Sequence, residues 1–218
     1  MSVCIGIRRE DKSIWERRVP IIPDHVRAIE REGIEVLIQP SEIRIFTERE
    51  YQAAGAEISE DLSKCSAVFA VKEIPSSFFL QGGTYVFFSH TIKGQDYNMP
   101  MLKRMMDLGC QLIDYEKVVD DKGRRLIFFG WHAGVSGMVE SLVAFGRKWK
   151  SQGIKSPFAA IKQPHEYSSI GEIKSALEVV GRWIEMDGLP DELLPLTVGI
   201  AGYGNVAEGA QEMLDILP

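Results

Sequence analysis

Short apolar runs alternate with polar or amphipathic stretches along the first 130 residues, most of them parted by glycine or proline, and this alternation narrows the fold more than any single motif. Residues 3–8 read as a first strand. After Pro23, Val26 and Ile29 lie three apart and Gly33 supplies a stop, so the spacing predicts a helix over 24–32. Residues 34–39, closed by Pro40, read as a second strand. Thr47-Glu-Arg-Glu50 is a capping box that opens a short helix toward Gly55. The runs 67–72 and 85–90 each end in a titratable residue. Asn98 reads as the N-cap of a methionine-rich helix with Pro100 in its first turn and Gly109 as its stop, and Met101, Met105 and Met106 read as core. A further strand is expected over 110–116, then a turn at 120–123 leading into 124–129. Nearly continuous apolar strands alternating with helices predict the α/β class, a mostly parallel sheet buried on both faces.

From Gly134 the pattern changes to long amphipathic stretches at 135–150 and 170–186, parted by a Pro/Ser/His-rich loop at 156–169. A boundary near 130 follows, giving domains 1–130 and 131–218. The 218 residues carry 25 Lys+Arg against 31 Asp+Glu, a net charge of −6, and 45% are hydrophobic. Such a chain can bury a core and is not disordered. Its acidic balance argues against a nucleic-acid partner, and no apolar run approaches the roughly 18 residues that a membrane span needs. Residues 1–8 do not read as a secretion signal. Three widely spaced cysteines then read as reduced thiols, which points to the cytoplasm, or to the mitochondrion in a eukaryote. No histidine stands at metal-ligand spacing, and no metal site is expected.

Residues 196–201 read as a strand that runs into Gly202-Tyr-Gly204-Asn205-Val206-Ala207 and then, from 211, a helix. Strand, tight glycine turn and helix form the context of a dinucleotide-binding turn. Gly202 permits the bend, Gly204 lets backbone approach a pyrophosphate, and Ala207 allows close packing. Asn205 and Val206 belong to the same turn, and the N-terminus of the helix that follows would offer its free N–H groups to the phosphates of NAD or NADP. An ordinary strand–helix turn is the competing explanation. The acidic residue expected about 20 positions further on is absent before Pro218, so the cofactor domain reads as incomplete, and the 218-residue chain by itself as inactive.

In open α/β sheets ligands sit beyond the carboxyl ends of the strands. Lys72 and His90 fall there on two successive strands, and both can move protons near neutral pH if burial lowers the lysine pKa. Each has an ordinary alternative, a solvated strand end for Lys72 and a loop cap for His90. Arg17 and Arg18 follow the first strand, where a guanidinium could grip a substrate carboxylate or pair with Glu16 or Glu10.

Five segments in order, Trp15-Glu-Arg-Arg-Val-Pro20, Val71-Lys-Glu-Ile-Pro75, Phe88-Ser-His-Thr-Ile-Lys-Gly94, Leu112-Ile-Asp-Tyr-Glu-Lys117 and 202–211, resemble the lysine–ketoglutarate reductase part of the bifunctional aminoadipic semialdehyde synthases. That group is related to the lysine-forming saccharopine dehydrogenases and, more distantly, to alanine dehydrogenase and the transhydrogenase N-terminal domain. The resemblance implies a Rossmann-like N-terminal substrate domain followed by the first strand–turn–helix of a truncated NAD(P)-binding domain. It implies condensation of lysine with 2-oxoglutarate and reduction of the imine by NAD or NADP chemistry. Lys72 and His90 match its acid/base pair and Arg18 its carboxylate-binding arginine, while Lys12, Glu116, Arg125 and Phe129 match further substrate positions. The partners implied are small molecules, an amino acid and a 2-oxo acid, and a homo-oligomer is compatible. Two alternatives stand beside this reading: an alanine-dehydrogenase-like amino-acid dehydrogenase, and a non-catalytic ligand-binding module.

Overall fold

Six strands, β1 (Cys4–Ile7), β2 (Glu35–Ile38), β3 (Glu57–Ile58), β4 (Ala67–Phe69), β5 (Thr84–Phe87) and β6 (Gln111–Asp114), form one sheet in the order β3-β2-β1-β4-β5-β6. Every neighbouring pair is parallel. The computed structural model describes residues 3–218; Met1 and Ser2, the first residues of the segment read above as no secretion signal, lie outside the described residues. The chain divides into two compact units, one ending at Ile127 and the other Phe128–Pro218.

The central strands of the first unit are apolar on both sides because helices cover both faces, whereas the edge strand β6 leaves Gln111 and Ile113 exposed. Val36, Leu37 and Ile38 of β2 are all fully buried, and each such side chain contributes about 1.5–3 kcal/mol on leaving water. Helix α1 (Pro23–Arg31) begins with proline in its first turn, where a missing N–H costs nothing, and is followed by Gly33 at φ 78°. Helix α2 (Glu48–Ala53) starts on a complete capping box: Glu50 N–H donates to the Thr47 hydroxyl, and the Glu50 carboxylate accepts the Thr47 N–H at 2.6 Å. Together α1 and α2 close one face over Ile7, Val26, Val36, Ile38 and Tyr51. Helix α3 (Met99–Asp107) closes the other, setting Met101 and Met105 against Leu37, Tyr85 and Phe87.

The second unit holds α4 (Gly130–Ser151), α5 (Ile170–Asp187) and α6 (Asn205–Leu214). Val139, Leu177, Val180 and Met213 form its centre, joined by Phe158 from the connecting loop. Helices α4 and α6 meet almost backbone to backbone. A Cβ on Gly134 would lie 2.0 Å from the Val206 carbonyl oxygen, and one on Gly209 2.1 Å from that of Trp131.

Several expectations are corrected. Residues 196–201 form no strand; they are exposed and pair with nothing in the sheet, because a strand exists only beside a neighbour and all six strands precede residue 115. α6 begins at Asn205, directly after the glycine turn, rather than at 211, and α4 starts at Gly130, five residues before the expected 135. Segment 124–129 contributes one antiparallel bridge, Val119 with Arg125, and Phe129 becomes the N-cap residue of α4. Met106 is 72% exposed and is no core residue. Asn98 precedes α3 but does not cap it, because its side chain is drawn into the strand-end network described next.

Candidate functional site

In a sheet of this order the winding of successive strands reverses between β1 and β4, and the crevice beyond their carboxyl ends is the usual ligand position. The two segments that leave those ends are residues 8–18 and 70–73. The first carries Glu10, Lys12, Glu16 and Arg18; the second carries Lys72 and Glu73.

Glu73 sits at the centre of one half of the crevice. Its Oε2 forms an ion pair with Lys12 Nζ at 2.6 Å, and its Oε1 meets His90 Nδ1 at 2.9 Å and accepts from Asn98 Nδ2 at 3.2 Å. Burial would raise this carboxyl, but Lys12, its own backbone N–H, His90 and Asn98 outweigh that and hold it at about 2. Glu73 is therefore ionised and can only accept, so the proton of a neutral His90 sits on Nδ1 and leaves Nε2 as the basic nitrogen. His90 lies at φ 50°, a left-handed backbone uncommon outside glycine. Asn98, 5% exposed, braces that turn by donating to the Ser89 carbonyl at 3.0 Å. Buried Asp114 accepts from the Ser89 hydroxyl and from the Glu116 N–H, which ties the ends of β5 and β6 together.

The other half is built on Glu16, which accepts Arg18 Nε at 2.7 Å and Nη2 at 2.6 Å in a two-pronged pair. Burial raises Glu16, and the Arg18 hydrogen bonds and charge, with Lys72 acting through space, bring it below the usual carboxylate range. Glu73, next to Lys72 in the chain, carries His90 and Lys12. Glu116 and Arg125 pair at 3.2 Å at the end of β6, linked to the His90 turn through Asp114. Phe129 lies in the second unit. The sequence reading gave no role to Glu73, Asn98 or Asp114 as anchors; the signal available for Glu73 was a carboxylate placed directly beside a strand-end lysine. A separate cleft of about 560 Å³ opens between residues 60–66 and 77–85, without a comparable convergence of acid and base.

In the second unit, Gly202 stands at φ 126°, which a side chain would resist, and Gly204 occupies the N-cap of α6 with no side chain reaching the first-turn N–H groups. Asn205, Val206 and Ala207 therefore offer N–H donors at the positive end of a ten-residue helix, a donor set that fits a pyrophosphate.

Fold and crevice define a doubly wound α/β domain of the kind dehydrogenases use. Residues 6–136 match the family model described as the alanine dehydrogenase/PNT N-terminal domain, and the chain belongs to that family. Over 214 residues, 98% of its length, it is 39% identical to the mitochondrial alpha-aminoadipic semialdehyde synthase of Rattus norvegicus, of which it spans 23%. It is 27% identical over 216 residues to the saccharopine dehydrogenase (NAD(+), L-lysine-forming) of Yarrowia lipolytica, covering 97% of this chain and 56% of that one. A solved L-alanine dehydrogenase shares the fold, with a TM-score of 0.53 at 22% identity over 69% of this chain and 42% of that chain. No described helix is long and apolar enough to cross a membrane.

Proposed function

We propose that this chain carries the substrate site of an oxidoreductase that condenses the lysine ε-amine with the keto carbon of 2-oxoglutarate and reduces the imine to saccharopine. The observation that carries the reading is the Glu73–His90 pair: an imidazole fixed with Nε2 available by a carboxylate that directly follows Lys72 in the chain. Imine formation requires protons to be removed from the attacking amine and delivered to the leaving carbinolamine oxygen. In this reading His90 Nε2 takes the first proton and the Lys72 ammonium supplies the second. Arg18 and Lys12 offer positive charge to the carboxylates of the two substrates, with Glu116 and Arg125 as further contacts. Gly202, Gly204, Asn205, Val206 and Ala207 would hold NAD or NADP, which in its reduced form would supply the hydride. The three widely spaced cysteines support a reducing compartment, cytosolic or mitochondrial. The names of the relatives support the substrate pair.

The test is to incubate the natural gene product carrying this sequence with NADH or NADPH, lysine and 2-oxoglutarate, following nicotinamide oxidation and product mass. Saccharopine formation is expected. Oxidation with ammonia and pyruvate alone would instead assign an alanine-type dehydrogenase.

A further inference from the structure

The first of the two segments that carry these groups also bears a carboxylate the chemistry above does not use. Glu10 is 7% exposed. Its Oε1 accepts the Val71 N–H at 2.6 Å and its Oε2 accepts the Lys72 N–H at 2.9 Å, joining positions 61 and 62 residues apart in the chain. Those amides lie just beyond the end of β4, where no sheet neighbour supplies their acceptors, and left unpaired at this depth they would be costly.

We propose that Glu10 is a positioning residue of the crevice: one oxygen on each amide fixes the direction in which Lys72 and Glu73 leave the sheet, and through Glu73 the seat of His90 and Lys12. The geometry allows no looser role. A carboxylate with both oxygens committed to consecutive backbone N–H groups cannot swing into the crevice, and a two-point attachment sets orientation as well as distance. The charged groups around it act through space. Arg8 bonds Asp11 and the Arg9 carbonyl, Arg18 forks onto Glu16, and Arg44 donates to the Gln39 carbonyl. Glu16 and the Tyr115 hydroxyl complete the titratable surroundings. Burial raises the Glu10 carboxyl more than its two amide bonds lower it. A proton on either oxygen weakens one arm of the clamp.

The kinetic part of this inference rests on the proposed reaction; the structural part does not. Nuclear magnetic resonance of the Val71 and Lys72 amides in the 218-residue chain, wild type and Glu10→Gln, reads the clamp directly. In wild type both amide protons should exchange slowly and shift with one common midpoint as the pH is lowered from neutral. In E10Q that shared titration should vanish and exchange should quicken about tenfold or more. In the natural gene product, kcat should fall about 100-fold, while KM for 2-oxoglutarate stays within about threefold because Arg18 keeps its seat on Glu16. Unchanged amide protection in E10Q overturns the inference, and so do loosened amides with kcat intact. Should E10Q fail to fold, the wild-type titration decides, and separate midpoints for the two amides overturn it. Should the wild-type protein not condense lysine with 2-oxoglutarate, the substrate assignment falls, and the amide readout alone supports or overturns the clamp.

Discussion

Glu73 shows how one side chain sets the protonation pattern of a whole crevice. Burial alone would favour its neutral form, yet four donors keep it ionised, and an ionised neighbour decides which nitrogen of His90 is basic. Glu73→Gln removes the charge and presents one oxygen where two were used. The variant should lose about 100-fold or more in kcat, since His90 loses the acceptor that fixes its ring. An unchanged kcat would show that His90 does not depend on this contact. The same residue links pH to stability. Its pKa is depressed from 4.5 to about 2, so its contribution is complete above about 4.5 and is lost as the pH falls from there toward 2. Urea midpoints measured across that window should fall in wild type and be flatter in E73Q.

Among elements, the α4–α6 crossing is the sharpest example of a contact set by missing side chains. Gly134 faces the Val206 carbonyl with no room for a methyl group, whereas Gly137, one turn along α4, faces open space. Gly134→Val should destabilise the second unit by about 1–3 kcal/mol through overpacking. Gly137→Ala should stabilise it by about 0.5–1 kcal/mol by lowering the entropy of the unfolded chain. Thermal melts of both variants check the pair, and equal shifts would mean the crossing is not tight. This is also where elements escaped the sequence. A glycine that admits another helix looks the same in one dimension as a glycine that merely ends a turn. The apolar run at 196–201 looked like a strand because local pattern carries no information about neighbours. The central strands of the first unit were legible for the opposite reason: both faces are buried, so Val36, Leu37 and Ile38 form an unbroken apolar signal.

Across the molecule, the parallel sheet gathers residues that are far apart in sequence. The reversal of strand order between β1 and β4 sets Lys12 beside Glu73, and β5 adds His90. Lys72 and His90 were visible as candidates because they stand at apparent strand ends, and Arg18 because it follows the first strand and matches the family's carboxylate-binding arginine. Their carboxylate anchors were not, because a buried acid and a solvated one are the same letter until the fold shows which side chains surround it. The central claim is that Lys72 and His90 serve one reaction in one crevice. It is tested most directly by single-turnover kinetics of Lys72→Met, His90→Gln and the double variant in the natural gene product, with lysine, 2-oxoglutarate and reduced nicotinamide. Residues that act as a unit lose far less together than the product of their separate losses, so the double variant should be little slower than the slower single. Losses that multiply fully, or a double variant as fast as wild type, would contradict the account.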